Sequence, residues 1–296
     1  MRREELCFVQ FSHPGGEHRP RRRARSIEWN ERGHKRKFVA SPGRALRKAR
    51  GISEGDFAFW TEWEPQSKVV EEITRPIPGG PRFVWRPHYQ VPPRYRRHQN
   101  SDPLVLGGFF YSNCRQWTKK GPTQLGFLKP GSVILFGSSK GGKFVVDTVF
   151  VVERHQDYHP AQYESMRVPQ VLKDVTLASL ATHERVRRRF ELPQAGCGPG
   201  GKSGFRLYFG ATYDRPYEGM FSYFPCLRYA PGGGGFARPA IRLPGIINPA
   251  STRGIRLNPQ ESVDDVRRLW KSATEQVYAH GLELGIEART PDCREP

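Results

Sequence analysis

The sequence predicts an α+β protein dominated by strands, and three observations support this class. Glycine (31) and proline (26) together make about a fifth of the 296 residues, so turns are frequent and regular elements short. Two runs rich in β-branched residues flank a glycine turn within 131–152. Helical spacing of apolar residues is found at 170–190 and 262–280. We expect a barrel or a twisted mixed sheet with a few peripheral helices.

The N-terminal third contains two predicted strands. Residues 6–12 form an apolar run that ends at turn-forming residues, and aromatic residues fill a second run at 56–63. Between them, residues 17–36 are polar and basic without periodicity, which indicates a long loop or a segment ordered only on binding. Residues 75–103 are rich in proline, which is typical of irregular surface.

The rest of the chain alternates strands with two helices. The strongest strand pattern is the hairpin, because Gly137 and the residues up to Gly142 separate two β-branched runs. Ser262 and Asp265 form a predicted capping pair before a helix that stops at Gly281. The predicted elements, in order, are strands at 131–137 and 143–152, a helix at 170–190, strands at 206–213 and 220–229, a helix at 262–280 and a strand at 282–289.

Composition divides the chain into three parts. Residues 1–50 form a basic segment with the opening strand, 51–190 a β-rich core, and 205–290 an α+β region that is either separate or packed into the same domain. The boundary falls in the glycine-rich stretch that ends near residue 204.

Positive charge indicates the class of partner. The formal net charge is +19, and residues 1–50 supply +10 of it, from 15 Lys+Arg and 5 Asp+Glu. Such a density of one sign repels itself unless a polyanion screens it, and nucleic acid is the commonest polyanion. The alternative is an arginine-rich composition without a functional cause. The predicted phosphate-contacting residues are Arg21, Arg22, Arg23, Arg25, Lys35, Arg36 and Lys37.

Two aromatic and polar patches are the predicted nucleotide pocket. In a strand, Trp60, Glu62 and Glu64 share one face, while Trp63 lies on the other, so only one tryptophan is expected to face the core. We assign Trp60 to the pocket, where it would stack on a base. The alternative is that one aromatic face belongs to the core and the glutamates are solvated. The pocket candidates are Phe59, Trp60, Glu62, Trp63, Tyr111, Asn113 and Arg115.

Other motifs are weaker. Residues 196–203 match the P-loop string, but no apolar strand precedes them and no helix follows, so we interpret them as a flexible glycine loop. His155 and His159 precede Pro160, which opposes a helical metal pair. We predict no metal site and no membrane segment, identify no cofactor, and expect a cytoplasmic protein. The oligomeric state stays open.

Residues 125–154 resemble the PUA-like barrels, the group of ASCH and EVE domains. The similarity is the strand 128–136, a glycine turn and a long second strand, with 59–65 similar to a Trp/Glu-Pro element of some EVE domains. The resemblance implies a small barrel whose cleft receives a nucleotide or modified base. We therefore predict a nucleic-acid-binding protein that recognises a nucleotide or modified base.

An enzyme acting on a nucleotide or nucleic acid, by base modification or removal, is the alternative. Residues 206–212, followed by 219–223, are similar to the first strands of ADP-ribosyltransferases, which implies NAD-dependent ADP-ribosyl transfer as one form of it. An inert structural or protein-interaction module is the third hypothesis.

Overall fold

In the computed structural model, strands dominate the described residues, which are 3–13, 15–20, 35–90, 100–118, 121–182 and 204–294. The strands are β1 (Cys7–Ser12), β2 (Lys37–Arg47), β3 (Gly51–Thr61), β4 (Ser67–Glu72), β5 (Phe83–Gln90), β6 (Phe110–Tyr111), β7 (Trp117–Thr118), β8 (Gly121–Pro122), β9 (Val133–Lys140), β10 (Lys143–Tyr158), β11 (Phe205–Gly210), β12 (Phe224–Arg228), β13 (Gly254–Pro259), β14 (Glu283–Ala288) and β15 (Asp292–Arg294).

Helical segments are fewer and mostly short. They are the 3₁₀ turns Gln124–Phe127 and Pro160–Ser165, the consecutive α1 (Gln170–Leu172), π-helical turn Lys173–Leu177 and α2 (Ala178–Thr182), and α3 (Val263–Ala279). None of the helices in the described ranges is long and apolar enough to span a bilayer. The β-rich class predicted from the sequence is confirmed.

Two large mixed sheets organise these strands. The first has the order β13-β1-β9-β10-β11-β6, with β1 and β9 parallel. The second has the order β14-β12-β3-β2-β5-β15, and β4 pairs with β5. In this sheet β14 is bonded to both β12 and β2, so the long β2–β3 hairpin is closed by a strand from near the C-terminus.

Both faces of β3 are covered in its second half, so alternate side chains there enter two different hydrophobic clusters. Along β3, Phe59 packs in the first cluster and Trp60 in the second. Trp63, just beyond the strand, packs in the first cluster. The expectation that only one tryptophan faces a core is therefore wrong, because apolar residues cover both sides of the strand, and both indoles are buried.

The sequence interpretation located the strong strands and missed the weak ones. The hairpin is present as β9 and β10, and β10 continues to Tyr158. Residues 75–103 were expected to be irregular, yet they contain β5, in which Val84, Trp85 and Tyr89 are buried although Pro87 lies between them. Burial of these side chains outweighs the poor fit of proline to a strand.

The cap of α3 provides a first test of the fold. The Ser262 hydroxyl accepts from the Asp265 amide at 3.2 Å, and the Asp265 carboxylate accepts from the Ser262 amide at 3.1 Å. Ser262→Ala should lower the free energy of unfolding by about 1 kcal/mol, because amides at the helix start lose their partner. Urea denaturation measures this, with exposed mid-helix Ser272→Ala as the control. Equal effects of the two substitutions would contradict the capping role.

Candidate functional site

Four charged or titratable side chains meet between the two sheets, and we call them the inner charge cluster: His13, Arg36, Glu62 and Asp147. Glu62 Oε1 lies 2.6 Å from His13 Nδ1 and 2.5 Å from Arg36 Nη1. Arg36 Nε donates to Asp147 Oδ2 at 2.9 Å. All four residues are buried. Arg36 thus pairs with two buried carboxylates. Burying these charged side chains costs more desolvation free energy than burying apolar side chains at the same positions.

A second group of buried polar residues joins the two patches predicted from the sequence. The Glu64 carboxylate accepts from the Asn100 amide at 2.6 Å, and the side-chain amide of Asn113 donates to Asn100 Oδ1 at 3.0 Å. Asp102 accepts from three consecutive backbone amides, those of residues 112–114. The segment Asn100 to Asp102, which the sequence interpretation did not single out, therefore connects the region of Glu64 to the region of Asn113.

Burial dominates the titration of this group. Desolvation raises the pKa of Asp102 to about 6, although its three backbone donors oppose the shift. Burial and the nearby Glu62 raise the pKa of Glu64 well above its ordinary value. Burial lowers the pKa of Lys37 to about 7, and its Nζ donates to the Pro65 carbonyl at 2.6 Å and to Ser67 Oγ at 3.0 Å. Shifts of this kind are concentrated at functional sites.

A cavity of about 600 Å³ opens beside the inner charge cluster, and we call it the Trp60 cavity. It is lined by residues 15–17, Trp60, 76–80, Arg82, 138–140, Arg238 and Thr252. Arg238 connects it to the cluster, because Arg238 Nη1 lies 3.2 Å from Asp147 Oδ1. The Arg238 guanidinium also lies 5.8 Å from the centre of the Trp60 ring.

The polar groups of the Trp60 cavity suit an anionic ligand. Arg82 and Lys140 supply two exposed positive charges against one lining carboxylate, Glu17, while the third cation, Arg238, is paired with Asp147. That carboxylate already accepts from the backbone amides of residues 82 and 83 at 2.6 and 3.0 Å. The hydroxyl oxygen of Ser138 is buried and has no hydrogen-bond partner among the described residues. A buried polar atom of this kind usually finds a partner, which a ligand can supply.

A second cavity, of about 410 Å³, is lined in part by Trp117, Phe127 and Arg206. The Arg206 guanidinium is held by Asp157 at 2.7 Å and by Glu4 at 2.7 Å. Its charge is therefore already neutralised within the protein, and the Trp60 cavity is the better anion site.

The predicted pocket residues occupy different environments. Trp60 lines the cavity, Glu62 belongs to the inner charge cluster, and Asn113 to the polar group beside it. Phe59 stacks on Phe224 with ring centres 4.0 Å apart, and Tyr111 on Tyr208 at 5.7 Å. The Trp63 indole donates to the Gln66 carbonyl at 2.9 Å. Arg115 is partly exposed, with a left-handed backbone at φ 59°. The glutamates are buried, so the alternative of solvated glutamates is wrong.

The predicted basic surface is only partly within the described residues. Arg21, Arg22, Arg23 and Arg25 lie outside them, as does the glycine string 196–203. Lys35 is exposed. Arg36 and Lys37, expected on a basic surface, are instead buried, because Arg36 pairs with two carboxylates and Lys37 is enclosed at the start of β2. These two residues cannot contact a phosphate backbone from outside the fold.

Sequence reasoning missed most of the cavity. Ser138, Lys140 and Arg238 come from a hairpin and a loop about a hundred residues apart, so only the fold brings them together. Asp147 did carry a signal, because it interrupts the long β-branched run of β10 and is buried there. An isolated carboxylate in such a run needs a buried cation as its partner.

Comparisons with known proteins identify no relative, so a function can be argued only from the site. No family model, no curated protein and no solved structure matches this chain. Within the described ranges, no group of three or more His, Cys, Asp or Glu side chains could hold a metal ion.

Proposed function

We propose that this protein binds nucleic acid at the Trp60 cavity, recognising a nucleotide there while basic residues around the mouth contact phosphates. The observation that carries the proposal is the convergence of Arg82, Lys140 and Arg238 on one cavity that Trp60 and Ser138 also line. Side chains of these types bind phosphates and the polar edges of bases. The PUA-like resemblance, which also implies a nucleotide in a cleft, belongs to the same proposal.

The charge of the chain supports this function. Exposed cations lie within a few residues, in sequence, of the segments that line the cavity, namely Arg19, Arg75 and Arg253. In a chain of net charge +19, such cations would attract a polyanion, which releases its counterions on binding. Affinity should therefore fall steeply as salt increases.

Two lysines on one hairpin test the proposal. Lys140 and Lys143 are both exposed and are paired across the β9–β10 turn, but only Lys140 lines the cavity. Lys140→Ala should weaken binding of a fluorescently labelled oligonucleotide about fivefold and lower the salt slope by about 1. Lys143→Ala should change the affinity less than about twofold, because a cation away from the ligand acts only through screened charge.

Fluorescence anisotropy at several salt concentrations measures both quantities. Equal losses in the two variants would show that the cavity is not the binding site. Affinity that stays flat over a tenfold range of salt would remove nucleic acid as the partner altogether.

An enzyme acting on the nucleotide is the second candidate, and the inner charge cluster favours it. Asp147 contacts both Arg238 in the cavity wall and Arg36, so a chain of three side chains, Arg238, Asp147 and Arg36, connects the cavity to the His13–Glu62 pair. Buried titratable groups beside a binding cavity are typical of acid–base sites. Incubation with DNA and RNA, with and without NAD, followed by mass spectrometry of the nucleosides, distinguishes turnover from binding.

A further inference from the structure

We propose that Asp147 is an internal counter-ion of the Trp60 cavity, which holds Arg238 and competes with the anionic groups of a ligand for it. This inference rests on the nucleic-acid function proposed above and concerns the regulation of that site. It follows from the way in which one buried carboxylate is shared between two guanidinium groups.

The two guanidinium groups bind Asp147 unequally. Arg36 Nε donates to Asp147 Oδ2 at 2.9 Å, while Arg238 reaches the two carboxylate oxygens through Nη1 alone, at 3.2 and 3.4 Å. Arg36 is also held elsewhere, because its Nη1 lies 2.5 Å from Glu62 Oε1 and its Nη2 donates to the His13 carbonyl at 3.2 Å. The longer hydrogen bond is the weaker one, so Asp147 releases Arg238 more readily than Arg36.

Arg238 has donors left for a ligand. Among the described residues, its Nε and Nη2 have no hydrogen-bond partner, and Arg238 lines the Trp60 cavity, whereas Asp147 is not one of the lining residues. The backbone beside Arg238 is fixed, since the Val146 amide donates to the Pro239 carbonyl at 3.0 Å, so a change of partner needs only a rotation of the side chain. A guanidinium with two adjacent N–H groups available matches phosphate oxygens in geometry and charge.

The exchange of partners has an electrostatic cost, through which Asp147 sets the affinity. Once Arg238 turns to a phosphate, Asp147 keeps only Arg36 among the described cations, and Glu62 binds that same guanidinium. A buried carboxylate with less compensation raises the free energy of the complex. The wild-type protein should therefore bind a polyanion less tightly than a protein in which residue 147 has no charge.

Asp147→Asn tests the inference, because asparagine keeps the shape of the side chain and removes its charge. Fluorescence anisotropy should show a labelled single-stranded oligonucleotide bound about fivefold more tightly by this variant. A carboxylate that only supports the fold, or that orients Arg238 for the ligand, predicts weaker binding instead. The matched control is Asp56→Asn, which makes the same change of charge at an aspartate that is paired with the exposed Arg86 at 2.9 Å. It should change the affinity less than about twofold.

Arg238→Met separates the exchange from a general effect of charge. This variant should bind the oligonucleotide about threefold more weakly than the wild type, because one phosphate contact is lost. In its background, Asp147→Asn should change the affinity less than about twofold, because no guanidinium remains to be released. Equal tightening in both backgrounds, or no tightening in the wild-type background, would overturn the inference while leaving the nucleic-acid function standing. A wild-type protein that binds no oligonucleotide would overturn both.

A measurement on the wild-type protein keeps the inference testable if Asp147→Asn does not fold, which circular dichroism shows. The NMR signal of the Arg238 Nε–H group is assigned by its absence from the spectrum of Arg238→Met. It should shift when the oligonucleotide is added to saturation, because the guanidinium changes its partner. An Arg238 signal that stays in place on a protein that binds the oligonucleotide would overturn the inference.

Discussion

Replacing Arg36 with methionine is expected to lower the free energy of unfolding by about 3–5 kcal/mol. The guanidinium lies 2.5 Å from the Glu62 carboxylate and 2.9 Å from the Asp147 carboxylate, and all three groups are buried. Methionine has a similar length but no charge, so the two carboxylates would be left with less compensation in a site that excludes water. Urea denaturation followed by circular dichroism measures the loss.

The matched control is Arg75→Met, because Arg75 is exposed. This substitution should change the free energy of unfolding by less than about 0.5 kcal/mol. The double variant Arg36→Met with Glu62→Gln should recover part of the free energy of unfolding lost in Arg36→Met, because one of the two buried carboxylates that lose Arg36 as a partner is removed. Small and equal effects of the two single substitutions would show that the inner charge cluster does not hold the sheets together.

The second expected result concerns pH. The difference in free energy of unfolding between the wild-type protein and Lys37→Met should change by about 3 kcal/mol between pH 7 and pH 9.5, in favour of the wild type at the higher pH. Burial lowers the pKa of Lys37 to about 7 in the folded state, while an unfolded lysine keeps its proton to a pKa near 10.4.

The sign follows from proton binding. Between these two pKa values the unfolded chain holds more protons than the folded chain, so raising the pH stabilises the fold. Below pH 7 the folded lysine is charged and buried, and the cost of its burial is present in full. Methionine does not titrate, so the free energy of unfolding of the variant lacks this pH-dependent contribution.

Chemical denaturation across the pH range, with both proteins in parallel, measures the difference and cancels groups common to both. Glu64 is the neighbouring carboxyl whose titration could overlap, because burial also raises its pKa. Repeating the comparison in a Glu64→Gln background isolates the lysine. A difference that stays constant with pH would show that Lys37 titrates as an exposed lysine does.

The sequence predicted those parts of the fold that depend on local pattern. The β9–β10 hairpin has β-branched runs around a glycine turn, and the cap of α3 has Ser262 and Asp265 at capping spacing, and both are present in the structure. The strands β2 and β5 were missed because arginine, lysine and proline hide their pattern. Their stability comes from long-range packing, which no local window contains.

The candidate site was less predictable for the same reason. Trp60 and Glu62 were predicted from the sequence as pocket residues, but the sequence could not show that Trp60 lies beside Arg238 or that Glu62 is paired with Arg36. The density of positive charge also led to a wrong prediction at Arg36 and Lys37. Both were predicted to lie on a basic surface, and both are buried. A run of cationic residues in the sequence does not show which of them pair with buried carboxylates in the folded protein.

The closure of the β2–β3 hairpin by β14 has a consequence for how the chain folds during synthesis. β1 pairs with β13, β2 with β14 and β3 with β12, so each of these strands bonds to a strand that is made much later. Until β12, β13 and β14 leave the ribosome, the earlier strands have unpaired edges and uncovered apolar faces. Pairing across such sequence distances is slow, since long loops must close first. Newly made chains would therefore depend on chaperones, and truncation before β13 should give aggregates rather than a smaller folded protein.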